Sequence, residues 1–291
     1  MSEKEEKEEK EKKGYDTLVL SGGGVKGFST LGALQYMQDN GLLGKKLNKL
    51  IGTSVGSMIC FFLSIGYTPI ELVVSLCSEG VFESLKINSI ENILKEGVYN
   101  YNIINEHCKK LTIDKIKYVP TLSQLKEAFD KELIISTYNY TEQKQEYINY
   151  KNYPDLSCLD AIRMSSNLPF IFNDFEYMNN EYIDGGFGDN FPLNCSNDDE
   201  LVMGISLKDE DKVDIENDKG VIDKFYKLIL IPLIELYKIK LEPYKNKNNI
   251  HILELKIENI KLYKFNLSHS EKLALFSVGY NQAKSFFKKE E

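Results

Sequence analysis

The sequence of 291 residues contains few cysteines, and they form no recognisable pattern. They are odd in number and widely separated, and no two of them make a C-x-x-C pair: Cys60, Cys77, Cys108, Cys158 and Cys195. This usage indicates neither a disulfide framework nor a zinc site, and it favours a reducing compartment. No cluster of His, Asp and Glu has metal-ligand spacing either, so we expect no catalytic metal and no cofactor.

Long apolar runs are also missing. No stretch approaches the roughly 18 uninterrupted apolar residues of a membrane-spanning helix, and no apolar segment follows the initiator methionine as in a secretory signal. We therefore expect a cytoplasmic protein, with peripheral contact to membranes left open. The formal net charge of −8 argues against nucleic acid as a partner, because such binding depends on lysine and arginine neutralising phosphates.

The composition is otherwise that of an ordinary globular chain, with 42% hydrophobic and 27% charged residues. Residues 1–13 contain six Glu and five Lys, so they can bury almost no apolar surface and are predicted to be a disordered charged tail. The remaining length, residues 14–291, fits one main domain. Within it, residues 67–130 are expected to be mainly helical and to form an insertion.

The body of the chain opens with two units of the same kind. A short apolar strand at residues 16–20 runs into glycines at 22–24, after which the apolar spacing of residues 28–37 is helical. A second apolar strand at residues 47–51 leads through a tight turn to an almost wholly apolar helix over residues 57–65, which should be buried. Two such units in series imply parallel strands and an α/β fold.

Further elements follow from the same periodicities. Strands are predicted at residues 133–140, 145–150, 201–207 and 251–257, an acidic solvated loop at 208–220 and an apolar-rich helix at 221–240. The apolar stretch from 225 to 236 could line an acyl-chain site or touch a bilayer, but a buried helix is the favoured interpretation.

One motif in the second unit points to nucleophilic chemistry. Gly52-Thr53-Ser54-Val55-Gly56 fits G-x-S-x-G, the nucleophile elbow, in which a sharp strand-to-helix turn projects a serine hydroxyl into a site. The pattern alone is weak, but the strand before it and the helix after it are the context that it requires. We therefore favour Ser54 as a nucleophile over Ser54 as an ordinary turn residue.

The glycine loop of the first unit, residues 22–27, has backbone N–H groups at a helix start and could bind an anion. A dinucleotide site should bring an acidic residue about 20 positions on, and none occurs between Asp39 and Glu71. A Walker loop would need a Gly-Lys-Ser/Thr ending, which Lys26-Gly27-Phe28 does not supply. The interpretation that remains is an oxyanion hole beside Ser54.

A third motif is centred on Asp184, which is followed directly by Gly185 and Gly186. Two glycines let the backbone approach closely and leave the carboxylate open to a partner. Taken alone, such an aspartate is more often the first residue of an Asx turn than a catalytic group.

Together these motifs resemble the patatin-like phospholipases. The resemblance covers about residues 15–195, where the segment 165–170 and Asn190 with Pro192 also match, and a weaker similarity extends to residues 273–286. It implies a three-layer α/β/α domain with a mainly parallel central sheet. It also implies a carboxylic ester hydrolase of the phospholipase or lysophospholipase kind, acting on lipid esters and in transient contact with a membrane surface.

The resemblance assigns roles to individual residues. Ser54 and Asp184 would form a catalytic dyad that works without histidine. The oxyanion hole would be built from Gly22, Gly23 and Gly24. The supporting residues would be Lys26, Gly27, Gly52, Gly56, Gly185 and Gly186.

Two alternatives stay open at the level of sequence. A Ser-His-Asp triad of the α/β-hydrolase type is compatible with chain order, because His251 and His269 follow Asp184, although Ser54 on the second strand comes early for that fold. The other alternative is a catalytically silent lipid- or protein-binding module of the same fold.

Overall fold

The computed structural model describes residues 14–78, 98–208, 221–257 and 267–290. The charged tail predicted at residues 1–13, part of the expected helical insertion and nearly all of the expected acidic loop lie outside these ranges. Inside them, the prediction of helix around residues 67–130 is met by three helices.

The elements follow the order that alternating strands and helices predicted. The strands are β1 Thr17–Leu20, β2 Lys49–Thr53, β3 Glu132–Asn139, β4 Lys144–Ile148, β5 Glu176–Tyr177, β6 Asn180–Asp184, β7 Val202–Lys208 and β8 Ile250–Lys256. The helices are α1 Gly27–Asp39, α2 Val55–Ser64, α3 Pro69–Ser78, α4 Asn102–Ile116, α5 Leu122–Phe129, α6 Cys158–Ser165, α7 Val221–Leu241 and α8 His269–Glu290.

The described strands form one mixed sheet in the order β5-β6-β3-β2-β1-β7-β8, with β4 paired to β3. The pairings from β3 through β2, β1 and β7 to β8 are all parallel, whereas β4 and β6 run antiparallel to β3. The expected α/β class with a mainly parallel central sheet is thereby confirmed.

Alternate strand residues face opposite layers of the domain. On one face, Leu18 and Leu50 join the larger buried cluster with residues of α1, α2 and α8. On the other face, Val19 and Ile51 pack with Leu241 of α7 in a smaller cluster. The helices therefore cover both faces of the sheet, and α2 is mostly buried, as its apolar sequence predicted.

Helix α7 departs from the favoured interpretation of a buried helix. It continues from Val221 to Leu241 through Pro232. Its inward side chains reach a cavity at the end of the sheet, while Leu228 and Ile231 are exposed. Full burial was wrong because only one side of the helix packs against the domain.

Among the described helices, none is by itself both long and apolar enough to cross a membrane. The pair Val55–Ser64 and Pro69–Cys77, bent by 119°, passes that test only when the two are taken together.

Candidate active site

Ser54 occupies the turn between β2 and α2, as the elbow motif predicted. Its backbone has φ 52° and ψ −125°, a conformation that residues other than glycine seldom adopt. Its carbonyl oxygen accepts from the Ser57 amide at 3.0 Å and the Met58 amide at 3.2 Å, which ties the turn to the first turn of the helix. The strained residue is thus held in place at the amino end of α2, where the helix dipole favours negative charge.

The two glycines of the motif let backbone segments approach the turn closely. A Cβ on Gly52 would lie 2.5 Å from the Ser57 amide nitrogen, and a Cβ on Gly56 would lie 2.5 Å from the Leu20 carbonyl oxygen. Neither position has room for a side chain. This explains in physical terms why the motif requires glycine two residues before and two residues after the serine.

Asp184 ends β6 and is buried. Its Oδ1 accepts from the Gly186 amide at 2.8 Å, which is the hydrogen bond of an Asx turn. Oδ2 is buried and has no partner at good hydrogen-bond geometry among the described residues. The Ser54 side chain nevertheless interacts with the carboxyl as a donor and lowers its pKa. Catalytic hydrogen bonds are commonly loose before substrate binds. The carboxyl therefore forms the turn with one oxygen and also interacts with the Ser54 side chain.

Burial changes the proton affinity of this carboxyl. Loss of hydration raises the pKa of Asp184 to about 6, and hydrogen bonds from the Ser54 side chain and the Gly186 amide offset only part of that rise. A carboxylate with this pKa is still ionised at neutral pH but is a stronger base than an exposed aspartate. Such a group is suited to accept a proton from a serine hydroxyl.

The glycine loop lies directly against Ser54. A Cβ on Gly22 would be 3.1 Å from the Ser54 Cβ, and the Gly22 amide already donates to the Asn190 carbonyl at 3.3 Å. The amides of Gly23 and Gly24 have no acceptor within the described part of the chain. Of the three expected oxyanion donors, these two therefore have an N–H group that is not already used.

Ser54, Asp184 and the glycine loop open into one cavity of about 300 Å³. Lys26 and Gly186 also line it, whereas the supporting glycines Gly27, Gly52, Gly56 and Gly185 lie behind its wall. Most of the remaining lining is apolar and comes from the inward side of α7 together with Leu168 and Leu207. The cavity thus joins a polar end, which holds the serine and the carboxylate, to an apolar wall.

Two further residues, Ser165 and Asn167, hold Ser54 and Asp184 in place, and sequence reasoning gave neither of them a role. Ser165 Oγ accepts from the Ser54 amide at 2.8 Å and donates to the Ser136 carbonyl at 2.6 Å. The Asn167 side-chain amide donates to the Tyr182 carbonyl at 2.7 Å, and the Asn167 backbone carbonyl accepts from the Asp184 amide at 2.9 Å. Ser165 and Asn167 belong to the segment that carries the family resemblance, so that segment was the available signal.

Asp189 is also buried and binds a different part of the molecule. Its Oδ2 accepts from the Tyr147 hydroxyl at 2.6 Å and pairs with Lys240 Nζ at 2.9 Å. Its carbonyl oxygen accepts from Thr53 Oγ1 at 3.1 Å, one residue before the elbow serine. Asp189 therefore connects α7 to β2, the strand that precedes Ser54.

The three histidines of the chain all lie within the described residues, and none of them lines the cavity. His107 is buried in α4, His251 Nδ1 is 2.9 Å from the Tyr15 hydroxyl, and His269 begins α8. The described residues also contain no group of three or more His, Cys, Asp or Glu side chains that could hold a metal ion.

Comparison with known proteins agrees with this architecture. A sequence model of the patatin-like phospholipase family matches residues 18–194. The chain is 32% identical over 286 residues to the probable lipid hydrolase 463L of Invertebrate iridescent virus 6. The aligned region covers 96% of this chain and 90% of that protein. It is 30% identical over 282 residues to protein R571 of Acanthamoeba polyphaga mimivirus, across 92% of each chain.

Among solved structures, the chain resembles VipD from Legionella pneumophila. The TM-score is 0.55 and the identity is 18%, over 94% of this chain and 67% of that one. At this level of identity the likeness concerns the fold.

Proposed function

The chain belongs to the patatin-like phospholipase family, and we propose that it hydrolyses acyl esters of lipids with Ser54 as the nucleophile and Asp184 as the general base. The observation that carries this proposal is that Ser54 and the buried Asp184 carboxyl, whose pKa is raised, lie together at the polar end of one largely apolar cavity. Family membership and similarity to a probable lipid hydrolase support a lipid ester as the substrate.

In the proposed first half-reaction, Asp184 accepts the Ser54 proton as Oγ attacks the ester carbonyl carbon. The negative oxygen of the tetrahedral intermediate is stabilised by the amides of Gly23 and Gly24, and one such donor is typically worth about 10²- to 10³-fold in kcat. The carbon–oxygen bond to the alcohol then breaks. Asp184 returns the proton to the departing alkoxide, which leaves the acyl group on Ser54.

The second half-reaction regenerates the enzyme. Water attacks the acyl carbonyl while Asp184 accepts one of its protons, and the same two amides hold the negative oxygen. When the bond to Ser54 Oγ breaks, Asp184 gives the proton back to the serine. The products are the alcohol and the free fatty acid, and both groups of the dyad return to their starting protonation states.

The position of the histidines supports the dyad over a triad. The base of a triad must lie within hydrogen-bonding reach of the serine, whereas His107, His251 and His269 all lie away from the cavity. Asp184 is the titratable group beside Ser54 whose pKa, about 6, suits a base at neutral pH.

The cavity wall supports an acyl chain as the group that is transferred. Ile229, Leu230, Leu233 and Ile234 of α7 offer the apolar surface that a fatty acyl chain would bury. Lys208, Lys238 and Lys245 also line the cavity, and cations at that position favour an ester that carries a phosphate group.

This proposal is tested by product analysis. The purified protein is incubated with lysophosphatidylcholine and, separately, with a monoacylglycerol of the same chain length, and released fatty acid is measured by mass spectrometry with Ser54→Ala as the blank. We expect release that requires Ser54, and faster release from the phosphate-bearing ester. Absence of release from either lipid and from a soluble p-nitrophenyl ester would contradict the proposed function.

A further inference from the structure

Helix α7 is apolar on two opposite sides. Every residue from 228 to 234 is apolar, including Pro232. Leu230 and Leu233 face the cavity. On the other side, 59% of Leu228 and 45% of Ile231 are exposed, and the next residue, Pro232, is exposed as well. A helix at a protein surface normally turns charged and polar residues to water, so this outer side is unusual.

We propose that Leu228, Ile231 and Pro232, the outer face of α7, dock on the surface of a lipid bilayer and so place the cavity mouth against membrane lipid. The inference rests on the proposed function, because a lipid surface is the occupant that a lipid hydrolase would meet there. An apolar helix face that inserts at the boundary between head groups and acyl chains is the usual means by which a peripheral protein binds such a surface.

Continuity with the cavity argues for lipid rather than another occupant. The outer face and the cavity wall are opposite sides of the same turns of α7, so a surface bound to the outer side lies one helix width from the cavity. A lipid that leaves the bilayer would therefore travel only about the width of a helix, roughly 10 Å, before it reaches the cavity.

The charges at the cavity rim also match a lipid surface. Lys238 and Lys245 line the cavity, and their side chains are 46% and 47% exposed. Each forms an ion pair with a neighbouring surface glutamate, and such exposed pairs contribute little free energy. They can therefore exchange those partners for lipid phosphates while their aliphatic stems remain along the apolar surface.

The carboxyl end of α7 is fixed to the domain. Lys240 pairs with buried Asp189, and the Tyr237 hydroxyl donates to Ser206 Oγ at 2.8 Å. Leu241 is buried in the smaller core cluster. Because the helix is held at this end, docking of its outer face would set the orientation of the whole cavity relative to the bilayer.

Vesicle co-sedimentation tests the inference. The parent protein carries Ser54→Ala, so that binding is measured without hydrolysis, and the vesicles are phosphatidylcholine with a minor fraction of phosphatidylglycerol. The test variant adds Leu228→Ser and Ile231→Ser. The matched control instead adds Leu273→Ser and Val278→Ser on α8, where 52% and 39% of the side chains are exposed away from the cavity.

We expect the α7 variant to lose about a hundredfold in vesicle partitioning, because it removes two side chains and each exposed Leu or Ile contributes about tenfold when it moves into lipid. The α8 control should bind as the parent does. In protein that retains Ser54, Leu228→Ser with Ile231→Ser should leave hydrolysis of a soluble monomeric ester unchanged, since neither residue lines the cavity.

Three results would overturn the inference. The first is a parent protein that does not bind vesicles, and the second is an α7 variant that binds them as well as the parent does. The third is a parent protein that is a dimer and does not bind vesicles, and that the α7 substitutions convert to a monomer. The last would assign the outer face to a second copy of the chain. The test is separable from the proposed function, because vesicle binding is measured in Ser54→Ala protein and soluble-ester hydrolysis does not involve the outer face.

Discussion

Lys240 Nζ lies 2.9 Å from Oδ2 of the buried Asp189, and this ion pair fastens the helix that lines the cavity to the loop that follows the proposed base. The same carboxylate oxygen accepts from the Tyr147 hydroxyl, and the Asp189 backbone holds Thr53 and Ser136 through its carbonyl oxygen. Asp189 is only five residues from Asp184, yet the two carboxylates have different partners. One contacts the serine, and the other holds the surrounding structure together.

The first prediction concerns this division of roles. Asp189→Asn should lower the free energy of unfolding by about 1–2 kcal/mol, because it removes the charge that partners Lys240, whose side chain is itself about one-third exposed. The folded variant should keep most of its activity. Urea unfolding and kcat per folded molecule measure the two effects separately.

Adding Lys240→Met to Asp189→Asn is the control for the pairing. The double variant should be less destabilised than the sum of the two single changes, because the second substitution removes a charge that already lacks its partner. Strictly additive losses would show that the ion pair contributes nothing to stability.

The second prediction follows from the raised pKa of Asp184. A general base must be ionised, so kcat/KM for a neutral soluble ester should rise about tenfold per pH unit at low pH and level off above about pH 6. A pH–rate profile measures this directly. A profile that is flat from pH 5 to 8 would contradict the role of Asp184 as the base.

The third prediction separates aspartate from histidine, since an imidazole titrates in the same pH range. Protein with His107, His251 and His269 all replaced by Gln should keep most of its kcat and the same pH–rate profile. Histidine in a triad would instead cost on the order of a thousandfold or more when lost. Because His107 is buried, kcat is corrected for the folded fraction determined by circular dichroism.

The fourth prediction concerns the effect of the raised Asp184 pKa on the free energy of unfolding. The native pKa of Asp184, about 6, lies above the ordinary aspartate value of 3.8 that applies in the unfolded chain, so native protein binds more protons than unfolded protein between these two values. Its ionisation therefore costs stability as the pH rises through this window, by an amount approaching roughly 3 kcal/mol above pH 6. Asp184→Asn removes that cost and can still accept from the Gly186 amide.

We accordingly expect Asp184→Asn to be inactive and at least as stable as the wild type at pH 7.5, with a stability difference that shrinks as the pH is lowered toward 4. Urea unfolding at several pH values measures this difference. The exposed Asp198→Asn serves as a matched control that should keep full activity. If Asp184→Asn were destabilised at neutral pH while its folded fraction stayed active, Asp184 would be a turn residue only.

Local sequence signals predicted the strand, turn and helix around Ser54 well. The two strand-glycine-helix units were recognisable because the apolar spacing and the glycines that each needs lie within about 25 residues. In the structure α2 begins at Val55 rather than at Ser57, because the turn after β2 ends at Ser54, the residue directly before the helix. The bounds of the strands that were predicted agree with the structure to within two residues.

The elements around Asp184 were less accessible to sequence reasoning. Strand β6, which carries Asp184, has no apolar alternation in its sequence, and it forms by antiparallel pairing with the end of β3, more than 40 residues earlier. Helix α6 was not predicted either, although it supplies Ser165. The Asp189–Lys240 pair joins residues 51 positions apart, and no local pattern encodes such a contact.

The most direct test of the account is labelling with a fluorophosphonate followed by peptide mapping, because this reagent reacts with an activated serine and reports which one it is. We predict a single modified peptide that contains Ser54, a labelling rate that rises with pH through about 6, and no labelling of Ser54→Ala. An adduct on a different serine, or no adduct on a protein that hydrolyses esters, would contradict the assignment of Ser54 as the nucleophile.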